Sequence, residues 1–576
     1  MLQFIILLTV VVILAYPLGK YLALVMQNSV MKSDVIFNWI EKPIYILLGT
    51  NPKQGMSVNT YIYSFILSCI VLGLITWLLF MNQAVLPLNP DHIPNMSWDL
   101  ALHTMVSFLT NTNQQHYSGQ AQLSYLSQMV GIVGMQVITP MMGLAMAVAT
   151  VRALFYKSVY SQLDEDQKYS FKTEIQKINV GNYWADVIRP TFRFLIPLCM
   201  VWSLLLNSQG VPSTFQAGPS ISVIDQTSEL KTQKIPLGPV APMVAIKQLG
   251  SNGGGWYGPN SSVSLENPTP LSNFFEMVAI LLIPVSVIFM LGFFTKRMKF
   301  AGFIFGSMLL MSIISATAAL WVENYFANSV VQQLVMEGKE VRFGDVSSTL
   351  WAVITTQVNN GSVNMMHDSA SPLTGLVSLA NMMVNAIWGG IGCGLQQFIL
   401  YLFLAVFIAG LMIGRTPELF GRKIEAGEIK LLAIVVLIQP IVILSFSSIA
   451  VFFPEVTGNS NPQHHGVSQV LYEYVSAFAN NGSGFEGLAD NTVWWNISCV
   501  IALLLGRFPT LIIPLMIATR LATKRQAPES SGSLNIETPT FALTLIAIVL
   551  MLTLLQFMPI LVLGPIADHL LLAQVG

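Results

Sequence analysis

The chain has 576 residues, 53% of them apolar and only 10% charged, with a formal net charge of −1. Soluble proteins average about 25% charged residues, so most of this chain belongs in a bilayer. The balance of charge points away from nucleic acid. The four cysteines, Cys69, Cys199, Cys393 and Cys499, lie scattered, mostly in apolar runs, without CxxC or His/Cys spacing, which reads as packing rather than a disulfide framework or a metal site.

An apolar segment of about 20 residues can cross the hydrocarbon core as a helix. Ten spans are predicted, at 2–26, 60–82, 127–152, 190–207, 273–294, 300–322, 377–413, 430–453, 494–518 and 539–563. The first lacks a positive n-region and a small-residue cleavage site, and its first positive side chain, Lys20, comes late; it reads as a retained span rather than a signal peptide. The seventh is too long for one straight crossing. It contains Gly389, Gly390, Gly392 and Gly394, and glycine is costly inside a helix, so this span is expected to break into two half-helices.

Positive charge alternates along the chain. One set of connections carries Lys20, Lys32, Lys42 and Lys53, then Arg152, Lys157, Lys168, Lys172 and Lys177, then Lys296, Arg297 and Lys299, then Arg415, Arg422, Lys423 and Lys430, then Arg520, Lys524 and Arg525. The other set holds Lys231, Lys234, Lys247, Lys339 and Arg342. The positive-inside rule makes the rich set cytoplasmic and places both termini outside.

The outer connections carry four short polar segments: Asn111-Thr112-Asn113-Gln114-Gln115, Ser251-Asn252-Gly253-Gly254-Gly255, Asn359-Asn360-Gly361-Ser362 and Asn480-Asn481-Gly482-Ser483. Before each comes a stretch suited to a short re-entrant helix, at 97–110, 242–249, 346–358 and 467–479. The fold class is therefore an all-α integral membrane protein, with ten transmembrane helices and four span–pore-loop–span quasi-repeats around a central filter. The expected divisions are an extra span with a cytoplasmic loop (1–56), four repeats (57–182, 183–298, 299–427 with the broken span, and 428–526) and a final extra span (527–576).

Asn-Gly is a common turn signal, and one such segment alone would be a plain turn. Four, each after a re-entrant helix on the same membrane side, point to a pore, because irregular backbone at membrane depth is tolerated where protein buries it or where it lines a wet cavity. Glycine reaches positive φ without penalty and asparagine tolerates it, so these loops can turn carbonyls inward to replace an ion's hydration shell. A helix ending at the filter also aims its negative dipole end there. None of the four segments contains a carboxylate. That suits a large monovalent cation better than Mg²⁺ or Ca²⁺; potassium is favoured, without a clean separation from sodium.

Arg507 stands alone in an apolar span; it either faces the bundle interior as a barrier to cations or snorkels to the surface. Lys247 is expected to pair with a carboxylate or helix-end carbonyls. His464-His465 lacks metal spacing, His367-Asp368 reads as a cap for the following span, and the pairs Met141-Met142 and Met382-Met383 read as helix packing. The chain has no GxxxxGK[ST], no Asp-Lys-Thr-Gly-Thr and no nucleophile–base constellation, so it is not expected to bind nucleotide or to act as an enzyme alone.

These residues resemble the potassium-binding A subunit of the bacterial Kdp potassium-transporting P-type ATPase, over essentially the full length. The matching motifs are Asn111-Thr112-Asn113 with Gln115 and Tyr117-Ser118-Gly119, Asn252-Gly253-Gly254-Gly255 with Glu266-Asn267-Pro268-Thr269, Gly361 with Val363-Asn364 and Met366-His367-Asp368-Ser369, and Asn480-Asn481-Gly482-Ser483. The resemblance implies a filter of Asn111, Thr112 and Asn113, of Ser251, Asn252 and Gly253, of Asn359, Asn360 and Gly361, and of Asn480, Asn481 and Gly482, with Gln115 beside it. It implies a barrier at Gly389, Gly390, Gly392 and Gly394, with Arg507 on the path below, and potassium as substrate in the bacterial inner membrane. The partners it implies are a B subunit that hydrolyses ATP and receives potassium through an intramembrane tunnel, a small C subunit and a short F peptide. Gln114 stands where an aromatic residue is expected, Asn359-Asn360 where smaller residues occur, and Glu486 adds a carboxylate past the fourth loop.

Two other functions compete. A potassium channel-like transporter driven by membrane potential gains about 2.3 kcal/mol per charge at about 100 mV, and is distinguished by independence from ATP and a partner. A secondary carrier often shows inverted repeats and charged midplane residues, whereas these loops recur in one orientation.

Overall fold

The computed structural model describes residues 1–156, 178–225, 227, 229, 231–329, 336–459, 463–527 and 535–575. The expected cytoplasmic lysines Lys157, Lys168, Lys172 and Lys177 lie outside the described residues. Ten helices among those described are long and apolar enough to cross a membrane: Leu2–Met26, Val58–Met81, Ser127–Leu154, Tyr183–Ser208, Pro270–Thr295, Met298–Tyr325, Cys393–Met412, Ala426–Phe452, Val493–Ala522 and Pro539–Ala573. Hydroxyl side chains start several of them by accepting otherwise orphaned N–H groups. Ser57 takes Thr60 N at 3.4 Å, Thr269 takes Ser272 N at 3.0 Å and Thr538 takes Phe541 N at 3.2 Å.

The fourth span begins earlier than apolarity alone predicts. Asn182 caps it by accepting Ala185 N at 3.2 Å, and its arginines are paired rather than free: Arg193 binds Glu41 Oε2 through Nη2 at 2.8 Å. The paired carboxylates belong to a further helix, Asp34–Leu47, in a connection expected to be loop. The seventh span is broken as expected. Pro372–Val384 is followed by Asn385, at φ 52°, and by irregular backbone to Gly392, where Cys393–Met412 begins. His367-Asp368 does not cap this helix, contrary to expectation; Ser371 does, accepting Thr374 N at 3.3 Å. Regular sheet among the described residues is confined to two small antiparallel pairs, Ser220–Ser222 with Thr232–Lys234 and Glu418–Leu419 with Arg422–Lys423.

Four half-helices lie where short re-entrant segments were expected: Trp98–Leu109, Val240–Leu249, Asp345–Val358 and Gln463–Ala479. Each packs between the spans that flank it in sequence, the first against spans two and three and the second against spans four and five. The third lies against span six and Pro372–Val384, and the fourth against spans eight and nine. The first span lies along the fifth, where Gly19 has no room for a side chain: a Cβ there would sit 2.7 Å from Phe289 Cβ. Burial separates centre from rim. The fifth span is 83% buried in the protein and the eighth 28%, so the rim is left to lipid.

Candidate functional site

The four loops close each half-helix in the same way. Asn111, Ser251, Asn359 and Asn480 take left-handed backbone, with φ of 65°, 53°, 55° and 57°. The next residue then turns its N–H back to the carbonyl five positions earlier: Thr112 to Ser107 at 2.9 Å, Asn252 to Lys247 at 3.0 Å, Asn360 to Thr355 at 2.9 Å and Asn481 to Ser476 at 2.9 Å. This is a left-handed helix stop, which asparagine and serine can adopt at modest cost. The third residue is again at positive φ: Asn113 at 59°, Gly253 at 85°, Gly361 at 86° and Gly482 at 106°.

With their N–H groups tied back to the helix ends, the middle residues leave their carbonyls free. Thr112, Asn252, Asn360 and Asn481 are fully buried, and among the described residues their main-chain oxygens accept no hydrogen bond. Buried carbonyls normally have partners. Four that lack them, one per repeat, have the chemistry to replace the water around a cation.

The loops form a closed ring. A Cβ on Gly253 would overlap Asn360 O, one on Gly361 would overlap Asn481 O, and one on Gly482 would overlap Thr112 O. The remaining seam, between the first and second loops, uses Gly254 instead, where a Cβ would lie 2.8 Å from Asn113 Cβ. Side chains stitch the same seams. Asn252 Nδ2 donates to Asn111 Oδ1 at 2.6 Å, Asn360 Nδ2 to Lys247 O at 2.9 Å, Asn481 Nδ2 to Thr355 O at 3.0 Å and Asn480 Nδ2 to Thr112 Oγ1 at 3.0 Å. Gln115 clamps the second loop, accepting Gly255 N at 2.9 Å and donating to Gly255 O at 3.1 Å.

The structure thus brings the thirteen residues expected for the filter together in this ring or beside it. A second tier that sequence reasoning did not single out holds them. Gln136 and Thr139 of span three bind Asn113 Oδ1 at 2.8 Å and Asn111 Oδ1 at 2.9 Å. Asn385, at the start of the break, accepts Asn359 Nδ2 and donates to Ala479 O at 3.4 Å, joining the third and fourth loops to the broken span. The available signal was the same in each case: a polar side chain in an apolar run. Lys247 is paired as expected. It binds Glu266 Oε2, Asn260 Oδ1 at 2.6 Å and Ser261 Oγ at 2.7 Å, fully buried.

The glycine break packs under the third half-helix, with Trp388 N and Gly389 N donating to Gln357 O at 3.1 and 2.9 Å. Gly389 and Gly394 touch so closely that a side chain on either would strike the other, and a side chain on Gly392 would strike the carbonyl of Gly143 in span three. Arg507 is buried and donates through Nη1 to Cys393 Sγ at 2.7 Å, at the start of the second half of the broken span. The snorkelling alternative for Arg507 therefore fails, and Cys393 is a partner of Arg507 as well as a packing residue.

On the other side of the ring is a cavity of about 550 Å³, lined by Gln114, Gln115, His116, Gly361, Glu473, Gly482, Glu486 and Asp490 among others. Glu473 accepts Gln114 Nε2 and lies 3.1 Å from His116 Nε2. Partial desolvation beside Glu473 raises the Asp490 carboxyl above its usual range, against the opposing pull of His116. Glu473, Glu486 and Asp490 put three carboxylates in this wall beside His116, a charge pattern that can draw cations to the cavity.

The sequence profile of "KdpA: Potassium-transporting ATPase A subunit" matches residues 5–570. A Pseudomonas putida protein named potassium-transporting ATPase potassium-binding subunit is 42% identical over 569 residues, covering 97% of each chain. A Gloeobacter violaceus protein of the same name is 40% identical, covering 96% of this chain and 94% of its own. The crystal structure of the potassium transporter TrkH from Vibrio parahaemolyticus has a similar fold, with a TM-score of 0.50 at 11% identity, covering 88% of this chain and 97% of TrkH. The chain belongs to the potassium-transporting ATPase A subunit family.

Proposed function

We propose that this chain is the ion-selecting subunit of an ATP-driven, high-affinity potassium importer in the bacterial inner membrane, with both termini outside. Potassium enters the acidic chamber from outside and sheds its water among the carbonyls of Thr112, Asn252, Asn360 and Asn481. Asn111, Asn113, Ser251, Gly253, Asn359, Gly361, Asn480 and Gly482 shape that ring, and Gln115 holds the second loop. The break at Gly389, Gly390, Gly392 and Gly394, backed by the Arg507 guanidinium, opposes straight passage. The ion is then handed sideways to a P-type ATPase B subunit, which carries the nucleotide chemistry, with a C subunit and a short F peptide completing the complex. Neutral oxygens without a carboxylate at the ring favour potassium over divalent ions.

The observation that carries this reading is the set of four buried carbonyls without hydrogen-bond donors, one per loop. The test is rubidium-tracer uptake at micromolar potassium, with the chain co-expressed with its partners, beside a Gly253→Asp variant whose assembly is checked by co-purification. Uptake that needs ATP and collapses in the assembled variant supports the reading. Current through the chain alone, without ATP, would establish the channel-like alternative driven by membrane potential. Unchanged affinity and selectivity in assembled Gly253→Asp would reduce the second loop to a turn.

A further inference from the structure

The helix Asp34–Leu47, between spans one and two, turns its charged side toward the protein. Asp34 and Glu41 ion-pair with Arg193, Glu41 at 2.5 and 2.8 Å, and Tyr45 packs on Ala185 and Ile188. The opposite side carries Val35, Ile36, Trp39, Ile46 and Leu47, with Trp39 exposed by 82% and Leu47 by 86%. These five positions recur at helical spacing and form one stripe. A stripe of five large apolar side chains is not left facing water in a stable protein.

Its position says what covers it. Arg193 lies well inside span four, Tyr183–Ser208, and its carbonyl accepts the hydroxyl of Tyr21, within span one, at 3.1 Å. The helix, which connects the end of span one to the start of span two, is thereby tied to span four, and Leu24 and Tyr16 of span one are likewise exposed. Lys32, Lys42 and Lys53 are exposed around it. An apolar face carrying tryptophan and bordered by lysines, next to the end of a span, is the pattern of a helix seated at the headgroup–acyl boundary.

We propose that Asp34–Leu47 is an interfacial helix whose Val35–Ile36–Trp39–Ile46–Leu47 stripe is covered by phospholipid acyl chains, while Lys32, Lys42 and Lys53 reach the headgroup phosphates. This goes beyond the transport reading and does not depend on it. The Arg193 pairs fix the rotation of the helix, so that the stripe faces outward. The leaflet, cytoplasmic by the charge rule, rests on the orientation proposed above.

The test places a nitroxide on Trp39→Cys in the full chain, purified with whatever subunits co-purify and reconstituted in phosphatidylethanolamine–phosphatidylglycerol vesicles. The parent chain, whose own four cysteines are buried or only partly exposed, supplies the background signal. Collisions with oxygen should exceed those with a water-soluble nickel chelate, as for a lipid-exposed site. A nickel-favoured label would mean that the stripe faces water, and a label shielded from both reagents would mean that another protein covers it; either overturns the proposal. Leu47→Cys, on the same stripe at the other end of the helix, gives the answer should Trp39→Cys fail to fold, and Ile40→Cys, at the edge, should read shallower than both.

Discussion

Gly482 lies against the Thr112 carbonyl, where the last loop of the ring meets the first. A Cβ at Gly482 would overlap that oxygen, and the backbone there is at φ 106°. Gly482→Ala therefore meets two obstacles, left-handed strain of about 1–2 kcal/mol and displacement of a proposed ion ligand. The expected result is at least about tenfold weaker potassium affinity, measured by the potassium dependence of ATPase activity in the assembled complex. Gly302→Ala is the control: its Cβ would meet nothing within 4 Å, and affinity should not change.

Seams of this kind explain why the fold was more legible than the site. Apolar length located all ten spans, because hydropathy is a property of each segment alone, and the residues Gly253, Gly361 and Gly482 were visible as glycines after polar residues. What closes the ring was not visible. That Gly254, rather than Asn113, makes room in the first seam depends on how two loops distant in sequence meet. Asn385 and Thr139 looked like ordinary members of apolar runs; only the structure puts their side chains on Asn359 and Asn111. The Asp34–Leu47 helix escaped for a related reason: its charges seek Arg193, a partner far along the chain, so its pattern read as a polar connection.

Lys247 is buried with Glu266 behind the second loop. Removing one partner of a buried pair leaves a charge without compensation, at a cost of about 3–5 kcal/mol. Lys247→Met should lower the thermal unfolding midpoint of the detergent-solubilised complex by several degrees. Lys247→Met combined with Glu266→Gln should recover part of the loss. If the double variant is no better than the single, the pair is not the source of the effect.

His465 bridges two carboxylates, Asp368 at 2.8 Å and Asp568 at 2.9 Å. Hydrogen bonds to Asp368 and then Asp568 raise its pKa from 6.5 to about 9. A histidine raised on folding adds stability that is fully present below its unfolded pKa, about 6.5, and is lost as pH rises through about 9. The complex should therefore lose thermal stability between about pH 6.5 and 9, and His465→Gln should flatten that slope while being less stable at pH 6. An unchanged slope in the variant would show that other groups, such as Glu486, set the alkaline limit.

Arg507 is buried beside the glycine break, on the path proposed for a cation leaving the ring. Its guanidinium is held by Cys393 Sγ at 2.7 Å and flanked by Gly143, whose Cβ, if present, would lie 3.0 Å from Nη2. A fixed positive charge in a confined, poorly hydrated passage repels cations more strongly than it would in water, because the medium screens it less. Two roles are thus separable. If the charge is the barrier, Arg507→Met should raise passive rubidium flux in proteoliposomes without ATP, while Arg507→Lys keeps the flux low. If Arg507 only braces the break through Cys393, Arg507→Lys should fail as Arg507→Met does, because a lysine cannot reproduce the planar fork, and Cys393→Ala should leak as well. The geometry favours the first outcome. Among the described residues, no carboxylate forms an ion pair with Arg507, so its charge is not neutralised locally and would act on the proposed path.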